Sequence, residues 1–322
     1  MMIQDHPPAV SGLSRTLAIF SKLPLRLLQW LARLVATLMI TMPSAKALKT
    51  VSRNLQIAFP ELEPEQRHQL AKKSVQAQFQ SMLEFVKIWG SSPQFSIDHI
   101  HQVQGQQLLL DAIASKQGLI LVVPHFGSWE IMNAWLNQFT DIVIMYKPSQ
   151  NQALDQFVLT ARSRLRATLV PTDETGVRQI FRALKQGGVT AILPDHTPET
   201  TGGIYSPFFG CPVLTSTLVS RLAQKTRCHV LQLSCIRLPE QGGFSIVIEP
   251  VDQKISSPDL QQSVDALNHS IEQLIRRNPE HYHWSYKRFK ANPQLENIYY
   301  VPENQVAPAI ASARQAFINK DY

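Results

Sequence analysis

The sequence predicts an α/β protein: a mainly parallel sheet flanked by helices, preceded by an N-terminal membrane-associating helix. Three observations predict it. From Ile100 onward, short apolar runs alternate with segments of helical period, as repeated β-α units do. The first sixty residues are basic and aliphatic. With 322 residues, 44% of them apolar and 17% charged, the chain can hold a full core and is not generally disordered.

The net charge of +7 is unevenly spread. Up to Pro60, Arg15, Lys22, Arg26, Arg33, Lys46, Lys49 and Arg53 face Asp5 alone, so the remainder is close to neutral. That asymmetry suits a basic anchor rather than a basic catalytic domain. Nucleic acid is a poor partner, because these cations sit among aliphatic side chains and no zinc or single-strand-binding motif is present. Lys22, Pro24, Arg26 and Arg33 interrupt the segment from Leu17 to Met42. Its longest uncharged part, Leu34 to Ala45, is shorter than the ~20 apolar residues of a spanning helix. It reads as a helix lying in, or dipping into, an anionic leaflet. A soluble helix capping the domain and a tilted single span are the competing readings. No small-x-small site follows it, which argues against a cleaved signal peptide. Cys211, Cys228 and Cys235 are widely spaced without CxxC and read as small buried residues in a reducing environment.

A short helix is expected from Ala45 to Ala58. Glu63-Pro64-Glu65 starts the next, with proline in the first turn and acids at the positive end of the dipole. It should run to Trp89, with Leu70, Val75, Phe79, Met82, Phe85 and Val86 as its apolar side. Strands are expected at His101–Gln104, Leu119–Val123, Ile142–Tyr146, Thr168–Pro171, Val189–Leu193, Val230–Arg237 and Phe244–Glu249. Helices fit between most of them, at Gln106–Ser115, Trp129–Asn137, Ala153–Arg164, Gly176–Lys185 and Ser216–Lys225. The last two strands, joined by Pro239 to Gly243, read as an antiparallel hairpin at one edge. Asp259 to Arg277 is a long helix with Val264, Leu267, Ile271, Leu274 and Ile275 on one face. Asn292 to Tyr322 has weak periodicity and reads as a partly ordered tail.

The hexapeptide His125-Phe126-Gly127-Ser128-Trp129-Glu130 follows the apolar run Gly118 to Pro124. A buried strand would deliver His125 to its end, where open α/β sheets place their sites. An imidazole there can accept a proton, and Glu130 can fix its tautomer. At about 100° per residue, a five-residue spacing puts the pair roughly 140° apart on one helix. They meet only if His125 lies in the turn and Glu130 in the first helical turns. A chance His-x4-Glu is the bland reading.

Four clusters fall at the same edge. Lys147, in Tyr146-Lys147-Pro148, reads as a phosphate or carboxylate ligand or as a surface lysine. Arg162, Arg164 and Arg166 can hold phosphate oxygens or simply stabilise a helix C-terminus. Asp195, in Leu193-Pro194-Asp195-His196, can orient a base or a substrate hydroxyl, or cap a turn. Gly202-Gly203 lets a loop approach a ligand closely, while Phe208 and Phe209 supply an apolar wall for a hydrocarbon chain or for the core. Ser128 is not in a Gly-x-Ser-x-Gly elbow, so a covalent acyl-serine is disfavoured. The histidines lack metal-ligand spacing, and neither metal nor cofactor is expected.

In order and spacing, these segments resemble the lipid A biosynthesis lauroyl and myristoyl acyltransferases of Gram-negative inner membranes, within the bacterial lysophospholipid-acyltransferase-like superfamily. The resemblance runs from Pro24 to Lys290. It includes Asn54-Leu55, Phe59-Pro60-Glu61-Leu62, Pro124 to Glu130, Tyr146-Lys147-Pro148 and Arg162-Ser163-Arg164. It continues through Ala167 to Thr172, Leu193-Pro194-Asp195, Pro207 to Gly210, Tyr282-His283-Trp284 and Arg288-Phe289-Lys290. Lys147 stands where the family often has Arg, His196 where it often has Gln, and Tyr286-Lys287 where it often has His-Arg. A glycine is also common in the family near Arg166.

The resemblance implies a glycerol-3-phosphate-acyltransferase-like fold. Residues 1–60 would form the anchor region, 61–290 the acyltransferase domain and 291–322 a C-terminal tail. It implies His125 as general base, Glu130 as its orienting acid, and oxyanion stabilisation by amides near Gly127. Lys147, Arg162, Asp195, Gly203, Phe208 and Phe209 are the expected substrate-binding residues. Acyl carrier protein would be the donor and a phosphorylated lipid A precursor the acceptor, at the cytoplasmic face of the inner membrane. A transferase for glycerophospholipids or glycosylated phosphatidylinositol, and a lipid thioesterase or esterase, are the alternatives. A non-enzymatic lipid-binding or carrier-docking module is a further reading.

Overall fold

The computed structural model describes residues 12–42, 46–238, 240–295 and 297–319. Asp5, Ala45, Pro239 and Tyr322, which entered the expectations above, lie outside the described residues. Where one apolar segment was expected there are two helices, α1 (Gly12–Lys22) and α2 (Leu25–Ile40), bent by 119°. Pro24 separates them, having no N–H to continue the first helix. Among the described residues no single helix is long and apolar enough to cross a membrane; only this bent pair, taken together, reaches the length. α2 lays Leu28, Ala32 and Ala36, spaced four apart, against α4 (Pro64–Gly90), and leaves Leu27, Trp30, Leu34 and Leu38 exposed. Between them α3 (Lys46–Ala58) buries Val51, Leu55 and Ile57 in the core.

Helix α4 starts with a capping box: the Glu63 N–H donates to Gln66 Oε1 at 3.0 Å, and Pro64 occupies the first turn. Its buried stripe carries Val75 and Phe85, as expected, together with small and polar residues, among them Ala71, Ala77, Ser81 and Glu84. Met82, expected on the buried side, points away from that stripe and is 51% exposed.

The chain continues through α5 (Pro93–Asp98), β1 (Ile100–Gln104), α6 (Gln106–Ala114), β2 (Leu119–Val122) and α7 (Met132–Leu136). Next come β3 (Ile142–Tyr146), α8 (Gln152–Arg162), β4 (Ala167–Pro171), α9 (Glu174–Lys185) and β5 (Val189–Ile192). A hairpin of β6 (Gly203–Phe208) and β7 (Cys211–Ser216) leads to α10 (Leu218–Thr226), β8 (His229–Leu238) and β9 (Gly243–Pro250). The last helices are α11 (Leu260–Arg277) and α12 (Glu303–Asn319). The segment expected to be helical from Trp129 begins instead with one 3-10 turn, Trp129–Ile131.

The main sheet has the order β1-β9-β8-β2-β5-β3-β4. β8, β2, β5, β3 and β4 run parallel, while β9 and β1 run the other way. The expected β8–β9 hairpin is present but not at the edge. β1 covers β9, and the Phe244 N–H donates to the His99 carbonyl at 2.8 Å. With Ile100 and Val103 only half-buried, β1 is the short edge strand. Successive side chains alternate between two apolar layers. Leu121, Ile144, Ala191 and Leu233 face α6 and α7, whereas Val122, Met145 and Ile192 face the side of α10 and α11.

Two segments depart from expectation. The β6–β7 hairpin turns at Phe209 and Gly210, both with positive φ (51° and 73°), as a two-residue type I′ loop requires. Pro207, Pro212 and the glycines hide its alternation in the sequence. The stretch after Asn292 carries α12, which buries Val306, Ile310 and Ala313 against the core. The three cysteines are free and buried.

Helix α4 is tied to the sheet by a buried ion pair. Arg237 Nε of β8 donates to Glu84 Oε1 at 2.5 Å, and its Nη2 reaches Glu84 Oε2, Ser81 Oγ and the Ala77 carbonyl. The side chains are 5% and 0% exposed, so neither charge has water to fall back on. Removing one partner of such a pair costs about 3–5 kcal/mol, whereas replacing both with apolar residues costs far less. Arg237→Met should therefore lower the urea midpoint strongly, and adding Glu84→Met should restore much of it. Equal midpoints for the wild type and Arg237→Met would remove the clamp.

Candidate active site

β2 and β5 are neighbours whose following segments pack on opposite sides of the sheet, α7 on one and α10 on the other. Their carboxyl ends open a crevice at this switch point, and His125 and Asp195 enter it from either side. His125 Nδ1 pairs with Asp195 Oδ1 at 2.9 Å, and the His125 backbone N–H donates to Asp195 Oδ2 at 3.1 Å. The carboxylate is thus gripped by ring and backbone of one residue, with Nε2 left for the cleft. Burial alone would raise the Asp195 carboxyl, but the charge and hydrogen bonds of His125 outweigh it and hold it well below the usual range.

The acid on His125 is Asp195 and not Glu130. Glu130 follows the turn as expected, but its carboxylate is turned to other donors: Arg162 Nη2 at 3.0 Å, Trp89 Nε1 at 3.0 Å and Asn133 Nδ2 at 3.3 Å. The five-residue spacing that was awkward for a helix face is not closed by the 3-10 turn; the partner comes from the adjacent strand. Trp129 instead sets its ring edge-on to His125 at 5.0 Å. His196 stacks parallel to His125 at 3.8 Å, with Tyr286 on its far side at 4.0 Å.

The turn below His125 is fully used. The Gly127 N–H donates to the His281 carbonyl at 2.8 Å and the Ser128 N–H to the Cys235 carbonyl at 3.0 Å. These amides are therefore not the oxyanion donors expected of them. Gly127 has φ +62°, and a Cβ there would lie 1.9 Å from the Cys235 carbonyl oxygen, so only glycine lets the turn lie against β8. Ser128 is buried with its hydroxyl donating to Glu84, which removes it as a nucleophile.

A cleft of about 660 Å³ opens beside His125, within the usual range of ligand pockets. Lys147 stands exposed at its rim, and Arg162 lines it beneath the Tyr146 ring at 5.1 Å. Arg162 Nε is buried without a hydrogen-bond partner. Arg164 and Arg166 do not join it. Arg164 binds the Trp89 carbonyl, and Arg166 pairs with Asp141. Gly203 begins β6 against Pro198 and Thr215, and is not among the lining residues. Phe208 and Phe209 are each 1% exposed and close the core against Phe59, Tyr282 and Trp284. They are a core wall, not a cleft wall.

Sequence reading missed the residues that hold the site from behind. Trp89, Asn133, Glu84 and Arg237 come from three elements, and nothing local in the sequence marks them. His283 donates its N–H to the His125 carbonyl at 3.0 Å, and Asn54 Nδ2 donates to the carbonyls of Trp284 and Tyr286. The motif segments around Asn54 and Trp284 therefore meet as scaffold.

This geometry defines a class: an α/β protein in which a half-buried histidine, held by a buried aspartate, faces a largely apolar cleft lined also by Lys147 and Arg162. The model of the family described as bacterial lipid A biosynthesis acyltransferase matches residues 13–291, and the chain belongs to that family. It is 26% identical over 247 residues to an Escherichia coli K12 lipid A biosynthesis lauroyltransferase, covering 76% of this chain and 80% of the relative. It is 25% identical over 261 residues to the palmitoleoyltransferase of the same organism, covering 80% and 84%. Against the E. coli K12 myristoyltransferase, identity is 22% over 240 residues, covering 74% and 73%. Family membership makes this chain an acyltransferase of lipid A synthesis.

Burial holds His283 down to about 4 and His281 down to about 3, against 6.5 for a free imidazole. Between those values the unfolded chain binds protons that the native state refuses, so stability falls as the pH drops below 6.5. At pH 5 the deficit is about 2 kcal/mol for each ring. Unfolding midpoints measured from pH 7 to 5 should fall, and His281→Gln should flatten the slope. An unchanged slope in that variant would show that His281 does not titrate with unfolding.

Proposed function

We propose that the chain moves a fatty acyl group from an acyl carrier protein thioester to a hydroxyl of a phosphorylated lipid A precursor. The observation that carries this reading is the His125–Asp195 pair at the mouth of a largely apolar cleft. Asp195 holds the proton on Nδ1, so Nε2 is the basic nitrogen and can take the acceptor's proton. The hydroxyl oxygen attacks the thioester carbonyl carbon. As the C–S bond breaks, the thiolate leaves and recovers the proton from the imidazolium, which Asp195 stabilises. No acyl-enzyme is needed, consistent with the burial of Ser128 and all three cysteines.

With the Gly127 and Ser128 amides engaged, Arg162 is the cation placed to meet developing negative charge. Glu130 then acts through Arg162: together with Trp89 and Asn133 it fixes a guanidinium whose Nε is still unpaired. Lys147, exposed at the rim, suits the acceptor's phosphate or the donor's phosphopantetheine. The mainly parallel sheet, with His125 just past the carboxyl end of β2, supports reading the fold as glycerol-3-phosphate-acyltransferase-like.

The exposed apolar face of α2, with Trp30 59%, Leu34 42% and Leu38 57% exposed among basic residues, supports attachment to the cytoplasmic face of the inner membrane. A helix of this kind buries its apolar side at the headgroup boundary without spanning. Both substrate and enzyme then share an anionic surface.

Purified protein given acyl-carrier-protein thioester and a lipid A precursor should form the ester. His125→Ala should lower kcat by at least about a hundredfold and Asp195→Asn by a similar factor, with unchanged circular dichroism. Free fatty acid as the sole product, with acceptor present, would make the chain a thioesterase instead. Normal transfer by Asp195→Asn would return the orienting role to another acid. The triple change Trp30→Ser, Leu34→Ser, Leu38→Ser should cut co-sedimentation with anionic vesicles at least tenfold (roughly 1.4 kcal/mol of lost apolar burial is enough). Undiminished binding would move the membrane contact elsewhere.

A further inference from the structure

The cleft is not one trough; it straddles the end of the sheet. Strand alternation sends Ile144 and Ala191 to the α7 side and their neighbours Met145 and Ile192 to the α10 side, and all four line the same cavity. On the α7 side the branch ends against Met132, Leu136 and Leu233, each at most 1% exposed, while the more exposed Glu130, Asn133 and Arg162 line the rest of it. On the α10 side Met145 and Leu218 are only half-buried and lie beside Thr172, Thr197 and Ser216. That shelf is open and carries hydroxyls. His125 sits where the two meet.

The unpaired polar atoms divide in the same way. Arg162 Nε is orphaned beside the α7 branch, and Thr197 Oγ1 is orphaned beside the shelf. The Thr197 backbone N–H is already taken, donating to Tyr286 Oη at 2.9 Å, so the residue is held while its hydroxyl is not. A hydroxyl buried without a partner costs stability in the free protein. Thr197 itself lines the shelf.

We propose that the two branches separate the two lipids: the donor chain lies in the α7 slot, and the acceptor's hydrocarbon lies on the α10 shelf, with Thr197 hydrogen-bonding a polar group of the acceptor. The inference rests on the acyl-transfer reading above and assigns its substrates to opposite faces of the sheet. The buried apolar end of that branch suits the end of an unsubstituted chain, since a polar group there would be buried unpaired. The acceptor brings hydroxyl and headgroup with its hydrocarbon, and the shelf offers the hydroxyls of Thr172, Thr197 and Ser216 beside apolar Met145 and Leu218. Thr197 is a specificity residue here: it sets acceptor affinity and leaves the donor alone.

Thr197→Val keeps the shape and removes the hydroxyl. The acceptor KM should rise roughly three- to tenfold, as for one lost hydrogen bond, with the donor KM and chain-length preference unchanged. The melting temperature should hold or rise, because an orphaned group has gone. A fall in melting temperature with no change in acceptor KM would make Thr197 structural and overturn its role. The graded pair Ala191→Val and Ala191→Leu should shift donor preference to shorter chains, with the acceptor KM unmoved; the smaller step guards against misfolding. Parallel shifts for donor and acceptor in the Ala191 series would mean one shared pocket. Absence of any ester product from the wild-type protein would fail the acyl-transfer reading itself, before the variants are compared.

Discussion

Glu84 and Arg237 carry opposite charges in a place without water, and much of the site is arranged around their satisfaction. Glu84 takes hydrogen bonds from Arg237, from Gln29 at 2.8 Å and from the Ser128 hydroxyl. Ser81, which accepts from Arg237, donates in turn to the Gly127 carbonyl at 3.1 Å. One buried pair thus connects α2, α4, β8 and the turn that presents His125. The low dielectric makes every member necessary, because each would otherwise be a costly unpaired group. The position of the imidazole is set from below by this network and from the side by Asp195.

That arrangement divides labour between two acids that share a cleft. Asp195 is buried and committed to His125, so it governs the tautomer. Glu130 is committed to Arg162, so it governs a guanidinium. Each carboxylate has its own cation or ring as partner, so neither is shared between the two tasks. His196 and Tyr286 stand where the family resemblance expects other side chains: His196 stacks on the His125 ring and Tyr286 stacks on His196 in turn, covering one face of the imidazole.

The strands and most helices were legible because their signals are local: apolar runs such as Leu119–Val122, a proline first turn at Pro64, an aspartate cap at Asp259. His125 was legible because it ends such a run. Its partner was not. Glu130 lies five residues away and Asp195 seventy, and only the pairing of β2 with β5 brings the distant acid closer. Glu84 and Arg237, 153 apart, left no trace in periodicity. The β6–β7 hairpin was hidden by its glycines and prolines, so Phe208 and Phe209 were read as a ligand wall when they are the apolar side of a strand turn. Helix α12 was obscured by Pro308 and a weak apolar stripe.

Helix α3 has a consequence for the order in which the molecule is made. Asn54 binds the carbonyls of Trp284 and Tyr286 and the Tyr299 hydroxyl; Arg53 binds the Val301 carbonyl. Residues laid down early in synthesis thus wait for partners 230 or more positions later. A nascent chain exposes α1 and α2 long before His125 has its scaffold, since domains fold as their residues emerge. Whatever surface those two helices engage is available to them while the crevice is still unformed. Competence at the crevice therefore comes last, after any contact that α1 and α2 can make by themselves.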